Sequence, residues 1–426
     1  MILKRYQVVV TEGAWAAGGQ ILYALGLLAG IKAITSMVPP SVYGLLALYV
    51  ALLNLGSGMF ARPFIQAGLR FFHDVGSQRD LLRLRAVLKS LLRGSTAVIG
   101  FLIFAGSFIY AGIADQAGFS LPFLLVALLV ADIWRSYESS LLNAARNQRR
   151  FAVWLAAEGW FRPAGAVIAI HVWGPSPEAI LAGYAAGAFA GIAVFNRPAK
   201  APPRPGSGRL KDDKERLRKQ IVEYAKPLFG LALAGWISST GDRYLLGWLT
   251  GMKEVGIYAA AYGLMMRPFM LVETVAELTV RPLYFEAAAG GRAEREKRIL
   301  AIWLFLTATV CGMGFVMVLF LKDWIAAVFL GPGFGRSASL MPFIAAGAGL
   351  VAVSHVLEKP FFAHLRTRPV LVIQSLVAAF GVLTTFVCIR LWGLKGAALA
   401  MPIYYGFQCG LTVCFVKHSV QDISSR

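Results

Sequence analysis

The segment 197–220, RPAKAPPRPGSGRLKDDKERLRKQ, is the only long polar interruption in a chain of 426 residues. It opens with Pro198, Pro202, Pro203 and Pro205 around Gly206 and Gly208, a linker composition. It continues over 210–220 as a charged, helix-like run. That run reads as a solvated helix, and its basic residues also suit it to lie on anionic lipid headgroups. On either side the chain is apolar for nearly two hundred residues. The segment therefore reads as a linker over 197–221, joining an N-terminal lobe, 1–196, to a C-terminal lobe, 222–426.

Outward from that segment, the composition makes lipid the solvent. Hydrophobic residues make up 58% and charged residues 15%, against about 45–50% and about 25% in soluble domains. Mean hydropathy is +0.64. The 44 glycines and 10 tryptophans fit membrane helices and their interfaces. A helix needs about 20 largely apolar residues to cross a bilayer. Candidate spans lie near 13–37, 42–67, 91–113, 121–145, 151–172 and 178–195. A second set lies near 223–249, 255–283, 299–321, 337–361, 369–391 and 395–416. The expected fold is an all-α membrane protein with about twelve transmembrane helices, six in each lobe.

The formal charge of +20 would suggest nucleic acid in a soluble protein. Location decides otherwise. With an inside N-terminus, 29 of the 42 Lys and Arg fall on the cytoplasmic side, 5 on the opposite side and 8 within spans. Loops rich and poor in cations alternate along the chain, as cytoplasmic loops concentrate Lys and Arg. Both termini are expected in the cytoplasm. Nucleic acid is not an expected partner, and membrane lipids are. Only a short basic segment with Lys4 and Arg5 precedes the first span, and no cleavage signal follows it, so that span is expected to be kept.

The charges inside the spans carry the functional reading, because a charge at the bilayer centre costs about 2.5–3.5 kcal/mol on insertion scales. Residues three or four apart share a helix face. Asp132, Arg135 and Glu138 are expected to form a ladder along one helix, as are the pairs Glu158–Arg162, Glu223–Lys226 and Glu277–Arg281. Asp242 and Arg243 are adjacent, so each is expected to find its partner on another helix. Lys32, Arg62 and Arg267 have no acid at helical spacing. They must line a cavity or meet acids from other helices, and a cavity lined by arginines suits phosphate. Asp132, Arg135, Asp242, Arg243, Glu273 and Glu277 are candidates for ion coupling or for cavity pairs. Arg-Pro recurs at Arg62-Pro63, Arg162-Pro163, Arg267-Pro268 and Arg281-Pro282, placing kinks beside arginines.

Enzyme signatures are missing from the sequence: no Walker motif, GxSxG, HExxH or paired DxD occurs. The longest outer loop, 322–336, reads as structural through Gly331-Pro332-Gly333. Cys311, Cys388, Cys409 and Cys414 lie in apolar stretches and read as small buried residues. No metal pattern and no cofactor is expected. A weak internal echo links Val42-Tyr43-Gly44 to Val255-Gly256-Ile257-Tyr258, each opening a span after a tight turn, as parallel repeats would.

Three stretches carry a family resemblance. The first is Ser36-Met37-Val38-Pro39-Pro40-Ser41-Val42-Tyr43-Gly44-Leu45. The second is Gly241-Asp242-Arg243-Tyr244-Leu245-Leu246 followed by Val255-Gly256-Ile257-Tyr258-Ala259-Ala260-Ala261-Tyr262. The third is Gly393-Leu394-Lys395-Gly396-Ala397-Ala398-Leu399-Ala400. In this order the chain resembles the polysaccharide exporters, the lipid-linked oligosaccharide or O-antigen flippases of the multidrug/oligosaccharidyl-lipid/polysaccharide (MOP) superfamily. The resemblance implies two six-helix lobes across a V-shaped central cavity worked by alternating access. It implies a polyprenyl-diphosphate-linked oligosaccharide carried across a bacterial inner membrane, with Arg62, Arg267 and, as a looser match, Lys32 on the diphosphate. Other polysaccharide-assembly membrane proteins are then partners to consider. Two rival readings stand beside it. One is a cation-coupled multidrug or metabolite antiporter of the same superfamily. The other is a membrane-embedded polymerase or glycosyltransferase, which would need a sizeable catalytic outer loop.

Overall fold

Pro39 and Pro40 separate the first two helices. The residue before a proline is pushed out of the α region, so α1 (Ile2–Met37) stops there. Pro40 then occupies the first turn of α2 (Pro40–Phe60), where a missing N–H is harmless. The computed structural model describes residues 2–72, 74–113, 120–195, 214–364 and 367–424. Most of the expected linker, 197–213, and Arg366 lie outside them. The chain continues through α3 (Arg62–Phe72), α4 (Gln78–Ile113), α5 (Leu121–Ala144), α6 (Gln148–Trp173) and α7 (Pro177–Phe195). Then come α8 (Lys214–Thr250), α9 (Met252–Ala289), α10 (Ala293–Phe329), a 3₁₀ turn (Pro332–Ser339), α11 (Met341–Leu357), α12 (Lys359–Ala363) and α13 (Thr367–Ser424). Within α13 two rods meet at Gly393, whose φ of 56° and ψ of −131° suit a residue without Cβ. Counting α2 with α3, α11 with α12, and the two arms of α13 separately gives twelve rods among the described residues.

Eight segments are long and apolar enough to cross a membrane, and that ending at Val416 contains both arms of α13. The rods that fall short, α5, α6 and α8, carry the buried Glu138, Glu158 and Asp242. The protein is a multi-pass membrane protein, and large apolar side chains such as Phe101, Phe305 and Phe320 stand on its surface. In lipid such exposure is solvation.

Helix limits correct three expectations. α4 starts at Gln78, so Arg79, Arg83, Arg85 and Lys89, outside the expected span 91–113, belong to its helix. The expected outer loop 322–336 is largely ordered, since Lys322 lies in α10 and Gly333 and Arg336 in the 3₁₀ turn. Of the cysteines, all free, Cys311 and Cys388 are buried, but Cys414 is exposed.

Two compact units divide the chain: Met1–Ile34 with Leu48–Trp236, and Thr35–Ala47 with Ile237–Arg426. In the first, small residues bring backbones together, the main source of helix association where lipid is as apolar as the side chains. A Cβ on Gly19 would stand 2.7 Å from Ala152 Cα, one on Gly26 2.6 Å from the Gly159 carbonyl oxygen, and one on Gly30 2.5 Å from Pro163 Cγ. These three glycines seat α1 along α6. Gly165 and Gly183 make α6 and α7 meet backbone to backbone, and Gly187 packs on the Phe161 carbonyl.

In the second unit the short piece Thr35–Ala47 is fastened on several sides. The Gly331 N–H donates to Thr35 Oγ1 at 2.9 Å. Tyr43 meets Phe334 edge to face, with ring centroids 5.7 Å apart. A Cβ on Gly333 would stand 3.3 Å from Pro40 Cδ. The sequence echo gains a physical meaning here: Gly44 and Gly256, one from each motif, pack against each other, and a Cβ on Gly44 would stand 2.9 Å from the Gly256 nitrogen. A separate apolar cluster of Tyr284, Trp303 and Val356 ties α9, α10 and α11.

Candidate functional site

The first unit neutralises its intramembrane charges across helices. The ladder expected along α5 does not form. Asp132 takes Arg162 of α6, Arg135 reaches Glu158 of α6 at 3.1 Å, and Glu138 takes Arg85 of α4. The reason is geometric: α5 is packed by α4 and α6, and a guanidinium long enough to reach a neighbour makes a straighter pair than one folded along its own helix. The expected Glu158–Arg162 pair is present at 2.8 Å. Glu223 and Lys226, by contrast, are both exposed at the start of α8. Arg85 and Glu138 are 7% and 2% exposed, a buried pair that placing Arg85 outside the span 91–113 concealed. Lys89 Nζ lies 4.8 Å from the Trp134 ring centre on the same pair of helices.

Arg62 and Lys32 diverge. Arg62 follows the break at Ala61, where α2 gives way to α3, and Pro63 occupies the first turn of the new helix. Its side chain is exposed and no carboxylate pairs with it among the described residues. Lys32, on α1, is half-buried and engaged by a neighbouring group, so it is not a free cation.

In the second unit Asp242 and Arg243 are treated differently by their surroundings. Asp242 is 4% exposed. It accepts from the Tyr258 hydroxyl on α9 and from the Arg243 backbone N–H at 2.7 Å. Arg243 lies over the Tyr262 ring at 4.4 Å, a cation–π contact. Its Nε is buried without a hydrogen-bond partner, and so is Nη1 of Arg267 on α9. Tyr43 lies within electrostatic reach of both arginines. Pro268, inside α9, follows Arg267 directly. Arg243 and Arg267 thus each keep a buried guanidinium N–H without a hydrogen-bond partner, both within electrostatic reach of Tyr43. A charged group left unpaired in low dielectric is costly, and a phosphate oxygen would relieve that cost.

A second polar cluster lies on α9, α11, α12 and α13. His355 Nδ1 is 2.7 Å from Glu273 Oε1, Lys359 pairs with Glu277, and Arg281 lies 4.0 Å from Glu277. Glu358 was missed by sequence reasoning. It is 4% exposed and accepts from Gln374 Nε2 at 2.9 Å and Gln408 Nε2 at 3.1 Å. Both amides come from distant turns of α13, and Glu358 sits beside Lys359-Pro360, which reads as the end of a span. No local spacing signals it.

Compared with known families, residues 9–288 match the model described as polysaccharide biosynthesis protein. The chain belongs to that family. No functionally curated sequence matches this chain. Solved structures share its fold at low identity. An inward-facing multidrug resistance MATE family transporter of the MOP superfamily is 12% identical, with TM-score 0.69, covering 95% of this chain and 96% of its own. The lipid II flippase MurJ, in an inward closed conformation, is 12% identical, with TM-score 0.65 and coverages of 96% and 87%. A MOP superfamily transporter from Pyrococcus furiosus, described as having a binding pocket of reversed polarity, is 11% identical, with TM-score 0.68 and coverages of 98% and 96%. The chain thus has the fold of MOP-superfamily transporters.

Proposed function

We propose that the protein is a flippase that moves a polyprenyl-diphosphate-linked oligosaccharide, a precursor of cell-surface polysaccharide, across the cytoplasmic membrane by alternating access. The family supports a role in polysaccharide assembly. The observation that carries the substrate class is two buried arginine donors of the second unit without hydrogen-bond partners, Arg243 Nε and Arg267 Nη1. Diphosphate oxygens satisfy such donors, and arginine engages them through two parallel bonds. Arg62, in the first unit, is exposed and pairs with no carboxylate among the described residues, so it is a separate candidate for an anion. Tyrosine faces beside Arg243 and Arg267 give a hydrated glycan apolar surface with polar tips. The lipid tail stays in the bilayer.

The test is binding of a purified polyprenyl-diphosphate sugar to the detergent-solubilised protein, with Arg267→Ala and Arg62→Ala beside the parent. Tight binding that both substitutions weaken, at unchanged melting temperature, supports the flippase. Binding indifferent to both arginines returns them to structural roles.

The cluster around Glu358 favours a second reading, a cation-coupled antiporter. A buried carboxylate held by two amides, next to His355–Glu273, is negative charge of the kind a cation-coupled carrier needs within its spans. The two readings separate on substrate: the antiporter binds a cation and ignores diphosphate.

A further inference from the structure

Away from these clusters, α4 and α5 enclose an open trough of about 610 Å³ in the first unit. We propose that it binds one anionic glycerophospholipid, its phosphate at Lys89 and Arg93 and an acyl chain along the trough. Lys89 and Arg93 are four residues apart on α4, so they share a face, and both line the trough. Neither pairs with a carboxylate among the described residues, whereas Arg85, one turn earlier, is consumed by Glu138. Trp134 and Tyr137 of α5 lie at the same end, and amphipathic rings of this kind sit at headgroup level.

Beyond Arg93 the lining turns apolar through Gly100, Phe101 and Phe104 of α4, facing Val126 and Val130 of α5. Gly100 leaves the floor open: a Cβ there would come no nearer than 3.8 Å to Val126. From Arg93 to Phe104 is eleven residues, about 16 Å of helix. That matches one leaflet, about half of the ~30 Å hydrocarbon thickness. The bias of Lys and Arg along the sequence assigns the Lys89 end to the cytoplasmic face, the leaflet side where anionic headgroups attract basic residues. Cations at one end, aromatic rings beside them and an apolar channel one leaflet long complement a charged lipid. They do not complement a helix of a second chain, which would bury Lys89 and Arg93 without partners.

The test uses the full-length protein in detergent, incubated with phosphatidylglycerol or phosphatidylcholine and read by native mass spectrometry. The expected result is retention of one phosphatidylglycerol in preference to phosphatidylcholine. Lys89→Gln and Arg93→Gln should each lower phosphatidylglycerol retention about fivefold, and Arg292→Gln, in the second unit, should leave it unchanged. Gly100→Leu, which fills the trough, should remove both lipids from the site. Equal retention of the two lipids by the unsubstituted protein would overturn the proposal. So would phosphatidylglycerol retention that survives Lys89→Gln/Arg93→Gln at an unchanged melting temperature.

Discussion

Gly44 and Gly256 pack so closely that a Cβ on either would fall within 3.0 Å of the other's backbone nitrogen. The contact joins the start of α2 to the start of α9 and holds Tyr43 beside Arg243 and Arg267. A side chain at Gly256 would press on the Pro40 carbonyl, which is backbone and cannot swing away. Gly256→Val is therefore expected to destabilise the protein by about 3 kcal/mol or more, at the upper end of overpacking costs. Gly58→Ala, at a site with open space around it, should be neutral or slightly stabilising. Thermal melting in detergent distinguishes them, and equal melting of both variants and the parent would contradict the contact.

Arg85 and Glu138 form a buried pair between α4 and α5. Removing one partner strands the other, at a cost of about 3–5 kcal/mol. Arg85→Met and Glu138→Met should each melt far below the parent, and the double variant should regain most of the loss. A double-mutant cycle reads the coupling directly, and additive losses would show that the pair is not an energetic unit.

Arg267 should behave in the opposite way. Its unpaired donor already costs stability, so Arg267→Ala should melt at or above the parent temperature. The same change should weaken diphosphate binding at least about tenfold, the worth of a charged hydrogen bond. A fall in melting temperature without loss of binding would mark Arg267 as structural.

Glu358 offers a clean separation of charge from packing. Both amides donate to a single oxygen, Oε1, which a glutamine retains. Glu358→Gln should keep stability to within about 1 kcal/mol, while Glu358→Ala should cost about 1–3 kcal/mol for each amide left unpaired. If the Glu358 charge serves cation coupling, Glu358→Gln abolishes cation-dependent transport without unfolding the protein. Transport with an unaltered cation dependence would exclude that role.

The twelve rods were legible because lipid demands long apolar segments and loops concentrate cations. Helix ends were less so: α4 and α10 extend well past their apolar windows, since a helix emerging from the membrane need not change conformation where its side chains turn polar. Pairing along a helix was legible for Glu158–Arg162, where spacing suffices. Pairing across helices was not, as the partners of Asp132, Glu138 and Glu358 are set by packing that no spacing encodes. The tyrosines around Arg243 were readable as residues but not as neighbours, because Tyr43 lies some two hundred positions from Tyr262.

Thr35–Ala47 belongs to the second unit although it lies near the start of the chain, and the first unit runs on to Trp236, beyond the polar segment. A cut within 196–213 would therefore yield two polypeptides, each holding a piece that the other needs. The N-terminal one would supply α2's first turns to its counterpart and receive the beginning of α8 in return. Expressed separately, neither piece would be self-sufficient; co-expressed, they would assemble as a split protein by mutual exchange.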